Sequence, residues 1–245
     1  MVLRPLAGLL VAGLLLTSVG PSGAEAYSVL GNKWGSPVFG TPGGMVTYSF
    51  VPGNVSCDVF FDGCRTVNSG SVLQAGFESA VAEAFDRWAA IADIDFAPQA
   101  DAAGAVLQSS GSGMIRIAVA SFLPSFVALA ATFPGEPGPT AIFLNSRYAW
   151  ELGEDGLDDG TFDLRWVTLH EIGHAIGLNH EDGPPSVMRT IYTEEFGAAL
   201  QPDDIAGARF IYGPLVAVAG PRALALLAAG LGAAAIARRL RRRPA

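Results

Sequence analysis

The sequence predicts an α+β fold for one central domain. Half of the 245 residues are hydrophobic and 16% are charged, which supplies one sizeable core and excludes a disordered or fibrous chain. Strand-like segments come first and helical segments follow, with little strict alternation between them. Between residues 27 and 214, eight basic residues stand against 22 acidic ones, so nucleic acid is excluded as a partner.

The first elements follow from composition and spacing. Residues 45–51 are rich in β-branched and aromatic side chains between a glycine and a proline, and they predict a strand. Ser71, with Gln74 three positions on, predicts a capping box at a helix start. Apolar residues then recur at helical spacing and predict an amphipathic core helix. They are Phe77, Val81, Phe85, Trp88 and Ala92.

Later segments predict two further strands and two helices. Residues 114–119 alternate as a strand, and residues 140–144 form another after a loop rich in proline and glycine. Residues 163–177 predict a helix. Residues 202–212 predict a short final helix, with proline in its first turn and Gly213 after it.

The N-terminal segment predicts export. Residues 1–26 contain Arg4, then an apolar run over residues 6–16, and then the A-x-A pattern of a cleavage site at residues 24–26. The apolar run is too short for a comfortable membrane span. We therefore interpret residues 1–26 as a secretory signal peptide.

The C-terminal segment predicts a membrane anchor. Residues 215–237 are apolar on all sides apart from Arg222 and are long enough to cross a bilayer core. An arginine cluster follows at residues 238–243, and such a cluster holds the cytoplasmic side of a span.

Cys57 and Cys64 are the only two cysteines of the chain. In an exported protein, a pair this close in sequence predicts a disulfide that closes a small loop. A metal site is the alternative, disfavoured because no histidine lies near these cysteines.

The candidate metal-binding and catalytic residues lie in the stretch His170-Glu171-Ile-Gly-His174-Ala-Ile-Gly177-Leu-Asn-His180. His170 and His174 are four residues apart, so a helix presents both imidazoles on one face. Gly177 allows a sharp turn that returns His180 as a third ligand. Three nitrogen ligands leave one position open for water, as in catalytic zinc sites. Glu171 can then act as general base toward that water, and solvated or core histidines are the alternative.

This motif resembles that of the metzincins, a clan of zinc endopeptidases with H-E-x-x-H-x-x-G-x-x-H and a downstream Met-turn. Met188 follows His180 where that turn belongs, and the resemblance implies that it forms an apolar floor beneath the zinc ligands. Within the clan the chain is most similar to the matrixins. Residues 203–207 with Tyr212-Gly213 resemble the end of their catalytic domain, and the likeness spans residues 45–213. It implies a zincin-like domain with a twisted, mostly parallel sheet and a few helices.

The departures from the matrixin pattern concern metals and latency. Glu181 follows the third histidine, and glutamate at this position is typical of astacins. Animal matrixins bind a second zinc through further histidines, which this chain lacks, so a single zinc is expected. Latency through a propeptide cysteine is not expected, because no P-R-C-G switch precedes the domain.

A calcium site is a further implication of the resemblance. An acidic run with two glycines could supply oxygen ligands for Ca²⁺, and a solvated acidic loop is an equal alternative. The run comprises Glu151, Glu154, Asp155, Asp158, Asp159 and Asp163.

The tail resembles C-terminal sorting signals of the PEP-CTERM type, which combine a short proline motif, an apolar helix and a terminal arginine cluster. Gly220-Pro221-Arg222 stands where Pro-Glu-Pro is typical. The resemblance implies an exosortase-type processing enzyme as a partner.

These observations predict an exported zinc endopeptidase that acts on proteins or peptides in the cell envelope or outside the cell. Residues 1–26 are its signal peptide, residues 27–213 its catalytic domain, and residues 214–245 its sorting segment. By analogy with the clan, the strand at residues 140–144 would pair with an extended substrate, and residues 188–200 would partly line the specificity pocket. The alternatives are a surface-anchored binding or adhesion module with an inactive metal site, and a self-processing role in the envelope.

Overall fold

The computed structural model describes residues 27–58, 63–107, 114–134, 139–153, 160–193 and 195–215. The predicted signal peptide and the predicted membrane segment beyond residue 215 lie outside these residues. Residues 154–159 of the acidic run also lie outside them. Among the residues that the structure describes, none of the helices has both the length and the apolar character needed to span a bilayer.

A five-stranded sheet is the framework of the domain. Its strands are β1 (Gly44–Phe50), β2 (Ile94–Pro98), β3 (Ile115–Ala120), β4 (Ala130–Phe133) and β5 (Thr140–Asn145). The spatial order is β2-β1-β3-β5-β4, and every pair is parallel except β4 with β5. A separate parallel pair is formed by β6 (Ala149–Glu151) and β7 (Thr161–Asp163). The predicted α+β fold with a mostly parallel sheet is confirmed.

Within the described ranges, three α-helices accompany the sheet, namely α1 (Phe77–Ala89), α2 (Leu164–Ala175) and α3 (Pro202–Tyr212). The capping box predicted at Ser71 is wrong. The Ser71 hydroxyl donates to the carbonyl of Asn68 at 2.6 Å, within a single 3₁₀ turn. The helix begins only at Phe77, after Gly76 with φ of 94°. A local side-chain bond thus stabilises a turn where the pattern indicated a helix.

Apolar residues bury both faces of the sheet. The predicted face of α1 is buried and packs against the sheet and α2. The indole of Trp88 donates to the carbonyl of Leu169 at 3.0 Å and joins the two helices. A second cluster covers the opposite face, so β3 and β5 are buried at every residue. The inside–outside alternation expected of residues 114–119 is therefore absent, as in parallel strands covered on both sides.

The predicted disulfide between Cys57 and Cys64 is present. Both cysteines are at most 2% exposed and belong to the second apolar cluster, beside Val55 and Phe143. The bridge therefore lies within the apolar cluster on the face of the sheet opposite α1 and α2.

Candidate metal centre and catalytic site

Helix α2 carries the first part of the candidate site. The Asp163 side chain caps it by accepting from the backbone N–H of Arg165 at 2.8 Å. Nearly every residue of α2 is buried, because the helix lies between α1 on one side and β4 and β5 on the other. His170 and Glu171 are consequently 7% and 5% exposed.

The structure brings the three predicted histidines together. The ligand atoms of His170, His174 and His180 all lie within 4.8 Å of one another. The Nε2 atoms of His174 and His180 are 3.2 Å apart. Among the described residues, this is the one group of histidine, cysteine or acidic side chains that could hold a metal ion.

Hydrogen bonds from the outer ring nitrogens orient two of these imidazoles. Nδ1 of His170 lies 2.7 Å from the carbonyl of Val187, and Nδ1 of His174 lies 2.9 Å from the carbonyl of Leu178. A carbonyl can only accept, so each Nδ1 carries the proton and each Nε2 keeps its lone pair. Metal-binding histidines show this arrangement, because the outer bond fixes both tautomer and ring orientation.

Burial keeps the inner histidines neutral. Burial, together with the neighbouring His174 and His180, lowers the pKa of His170 to about 3. Burial likewise lowers the pKa of His174 to about 4. Neutral imidazole is the form that binds a metal, so the donor set fits a zinc ion at neutral pH.

Glu171 lies beside the histidines with a carboxylate suited to proton transfer. Burial raises its pKa to about 7, while a hydrogen bond from Thr132 acts in the opposite direction. The Thr132 hydroxyl is 2.6 Å from Oε2 of Glu171. A proton acceptor is most effective when its pKa lies near the working pH. Sequence reasoning identified Glu171 but did not identify Thr132.

Met188 packs against the middle of α2, at Gly173. It is 2% exposed, and a Cβ added to Gly173 would approach its sulfur to 2.3 Å. The buried carboxylate of Asp204 accepts from the backbone N–H groups of Val187 at 3.0 Å and Gln201 at 2.7 Å. Helix α3 therefore holds the turn that contains Met188, a role that the sequence did not reveal for Asp204.

A cleft of about 620 Å³ opens in front of the histidines. One wall is formed by β4 and the residues before it, and an aromatic wall lies near His170. The aromatic side chains are Tyr148, Phe162, Trp166 and Tyr192. Of residues 188–200, Arg189, Thr190 and Tyr192 line this cleft, and their role in specificity stays a prediction.

The substrate-pairing strand predicted at residues 140–144 is wrong. This segment is β5, and β3 and β4 occupy both of its edges. The outer strand of the sheet on the cleft side is β4, and its residues Ala130–Thr132 line the cleft. β4 was missed because it has only four residues; its signal was the run Ala-Ala-Thr-Phe before Pro134.

Two members of the predicted calcium run are described, and they are register partners in the parallel β6–β7 pair. Asp163 caps α2, and Glu151 ends β6 with its side chain 7% exposed. The remaining four acidic residues lie outside the described part of the chain, and calcium binding stays a prediction.

Comparison with known families agrees with this geometry. The sequence profile of the matrixin family matches residues 63–213, more than half of the chain and all of the candidate site. The chain belongs to the matrixin family. Matrixins are zinc-dependent endopeptidases, and the three clustered histidines of this matrixin fit the ion that the family implies.

Curated relatives match a shorter part of this matrixin. Stromelysin-3 of Homo sapiens is 32% identical over 90 residues, which are 37% of this chain and 18% of that protein. Matrix metalloproteinase-16 of Homo sapiens is 38% identical over 88 residues, 34% of this chain and 14% of that protein. Probable matrix metalloproteinase 095L of Invertebrate iridescent virus 3 is 37% identical over 90 residues, 37% and 24% of the two chains. The chain thus spans less than a quarter of the length of each relative.

Proposed function

We propose that residues 27–213 form a zinc-dependent endopeptidase domain. The observation that carries this proposal is the convergence of three imidazoles and one buried carboxylate at a cleft bounded by the outer strand of the sheet. His170, His174 and His180 would hold a single zinc ion. The chain contains only these three histidines, which supports one site of this kind per chain.

When bound, zinc would supply Lewis-acid polarisation of the scissile carbonyl and lower the pKa of a water molecule. Glu171 would take the proton of the attacking water and return it to the leaving amine. The burial that raises the pKa of Glu171 to about 7 allows the carboxylate to accept and release a proton at neutral pH. Met188 supports the histidines from below without contacting the reacting atoms.

The substrate would be an extended segment of a protein or peptide. β4 pairs with β5 on one side, and no other described strand pairs with its outer side. An exposed strand edge adds a peptide through main-chain hydrogen bonds, which is a common mode of peptide recognition. Thr132 of β4 contacts Glu171, so a peptide along this edge would pass close to the general base.

Replacement of Glu171 by Gln tests the proposed mechanism. The amide keeps the shape of the side chain but cannot take a proton, so we expect kcat to fall by about 10²–10⁴-fold. We also expect one zinc per chain in both proteins, measured on the same samples by elemental analysis. Glu78→Gln, an exposed position on α1, is the matched control and should cleave casein at the original rate.

Removal of the metal by a chelator distinguishes a zinc endopeptidase from an inactive binding module. Removal of zinc with phenanthroline should abolish casein cleavage, and added zinc should restore it. A protein that binds one zinc but cleaves no peptide would instead be the surface-anchored binding module. A fully active Glu171→Gln variant would contradict the role assigned to Glu171.

We further propose that the chain is exported and tethered to a membrane through residues 214–245, with an exosortase-type enzyme as a processing partner. The basis is the signal-like leader, the apolar tail with its arginine cluster, and a disulfide of the kind that persists in oxidising compartments. N-terminal sequencing of the mature protein should begin at Tyr27. Deletion of residues 214–245 should move the protein from the membrane fraction to the soluble fraction.

A further inference from the structure

The carboxylate of Glu171 has one hydrogen-bond partner among the described residues, and that partner belongs to another element. Oγ1 of Thr132 lies 2.6 Å from Oε2 of Glu171 and 3.0 Å from the backbone oxygen of the same residue. A hydroxyl has a single proton, so the shorter contact with the carboxylate is the donated bond. Hydroxyl–carboxylate bonds of this length are among the stronger ones in proteins.

The sheet determines where this hydroxyl lies. Thr132 is paired with Ile142 in the antiparallel β4–β5 ladder, so its backbone is held independently of α2. Glu171 is on α2, and the bond from Thr132 is the hydrogen bond that the described residues give to its carboxylate. The bond therefore joins the metal-binding helix to the strand that forms one wall of the cleft.

We propose that Thr132 is a positioning residue that holds the Glu171 carboxylate for proton transfer. The proposal rests on the proposed endopeptidase function and adds to it the group that orients the general base. While Oε1 takes and returns the proton of the attacking water, Oε2 continues to accept from Thr132. The carboxyl group thus keeps one orientation through both transfers. Because Thr132 belongs to β4, the same strand would locate the peptide and the base relative to each other.

Valine and serine at position 132 separate this role from simple packing. Thr132→Val keeps the branched shape but has no hydroxyl, and we expect kcat to fall about 10-fold with KM changed less than about twofold. Thr132→Ser keeps the hydroxyl and should retain most of the original kcat. A valine variant with the original kcat, or a serine variant as impaired as the valine variant, would overturn the proposal.

A second measurement does not depend on activity. In the metal-free protein, urea unfolding of Thr132→Val, Glu171→Ala and the double variant forms a double-mutant cycle. We expect the midpoint shift of the double variant to be smaller than the sum of the single shifts, because both changes remove the same bond. Additive shifts would overturn the contact. Non-additive midpoint shifts in a protein that binds zinc but cleaves no peptide would confirm the contact between Thr132 and Glu171. They would contradict the proposed endopeptidase function, and with it a positioning role for Thr132 in catalysis.

Discussion

Two glycines of the metal-binding motif are required for different reasons. Gly173 lies in the middle of α2, where a Cβ would approach the Met188 sulfur to 2.3 Å and Trp88 to 3.2 Å, so the close packing of the helix needs glycine. Gly177 has φ of 105°, and a Cβ there would lie 2.2 Å from the backbone oxygen of Asn32. The turn that returns His180 to the helix therefore depends on both the backbone freedom of Gly177 and its lack of a side chain.

Gly177→Ala should weaken zinc binding by at least about 10-fold, because strain of about 1–3 kcal/mol at this turn displaces His180. Competition with a chromophoric chelator measures the affinity. Gly153→Ala is the matched control, since nothing lies within 4 Å of a Cβ at that position. Equal zinc affinity in the two variants would show that the turn does not depend on Gly177.

Helix α3 supports the metal centre although it contributes no histidine. Its residue Asp204 accepts from the N–H of Val187, and the carbonyl of Val187 accepts from His170. The Ser186 hydroxyl also donates to Asp204. One buried carboxylate thus fixes the segment 186–188, which carries both Met188 and the outer hydrogen-bond partner of His170.

Asp204→Asn should lower the free energy of unfolding by about 3 kcal/mol. The amide N–H₂ of the asparagine would replace a carboxylate oxygen, so a backbone N–H that donates to Asp204 would lose its acceptor. Urea unfolding at neutral pH measures this change. Asp95→Asn, at an exposed position on β2, applies the same chemical change without a buried network and should shift stability by less than about 0.5 kcal/mol. Similar losses in both variants would exclude a special role for Asp204.

A buried ion pair connects parts of the chain that lie far from the cleft. Arg116 on β3 is completely buried and donates to both carboxylate oxygens of Asp101, at 2.8 Å and 2.6 Å. Ser49 of β1 donates to the same carboxylate at 2.8 Å. The segment after β2 is therefore attached to two strands of the sheet, opposite the face covered by α1 and α2.

This pair predicts sensitivity of the whole domain to acid. Burial raises the pKa of Asp101, but hydrogen bonds from Arg116 and Ser49 outweigh it and leave the pKa below its ordinary value. A carboxyl whose pKa is lower in the folded than in the unfolded protein stabilises the fold when it is ionised. This stabilisation is present above the pKa of the unfolded protein, about 4, and is lost as the pH falls through the pKa of the folded protein.

Asp101→Asn should therefore cost about 3–5 kcal/mol at pH 7, because Arg116 stays buried without its counter-charge. The variant should also lose less stability than the original protein between pH 5 and pH 3, measured as urea midpoints. A variant that keeps the original pH dependence would assign acid sensitivity to other carboxylates.

Local rules account for the parts of this protein that the sequence predicted correctly. The spacing of His170 and His174 fixes their common helical face, and the core face of α1 and the bounds of α3 also follow from residues close together in the chain. The small loop closed by Cys57 and Cys64 is local for the same reason.

Tertiary packing decided the rest of the site. The outer position of β4, the bond from Thr132 to Glu171 and the attachment of Val187 to Asp204 all join segments that are distant in sequence. Contacts of this kind depend on strand order and helix placement, and no spacing along the chain encodes them directly. Four residues of β4 carry too weak a periodic signal to reveal a strand, yet the order of the sheet makes them a wall of the cleft.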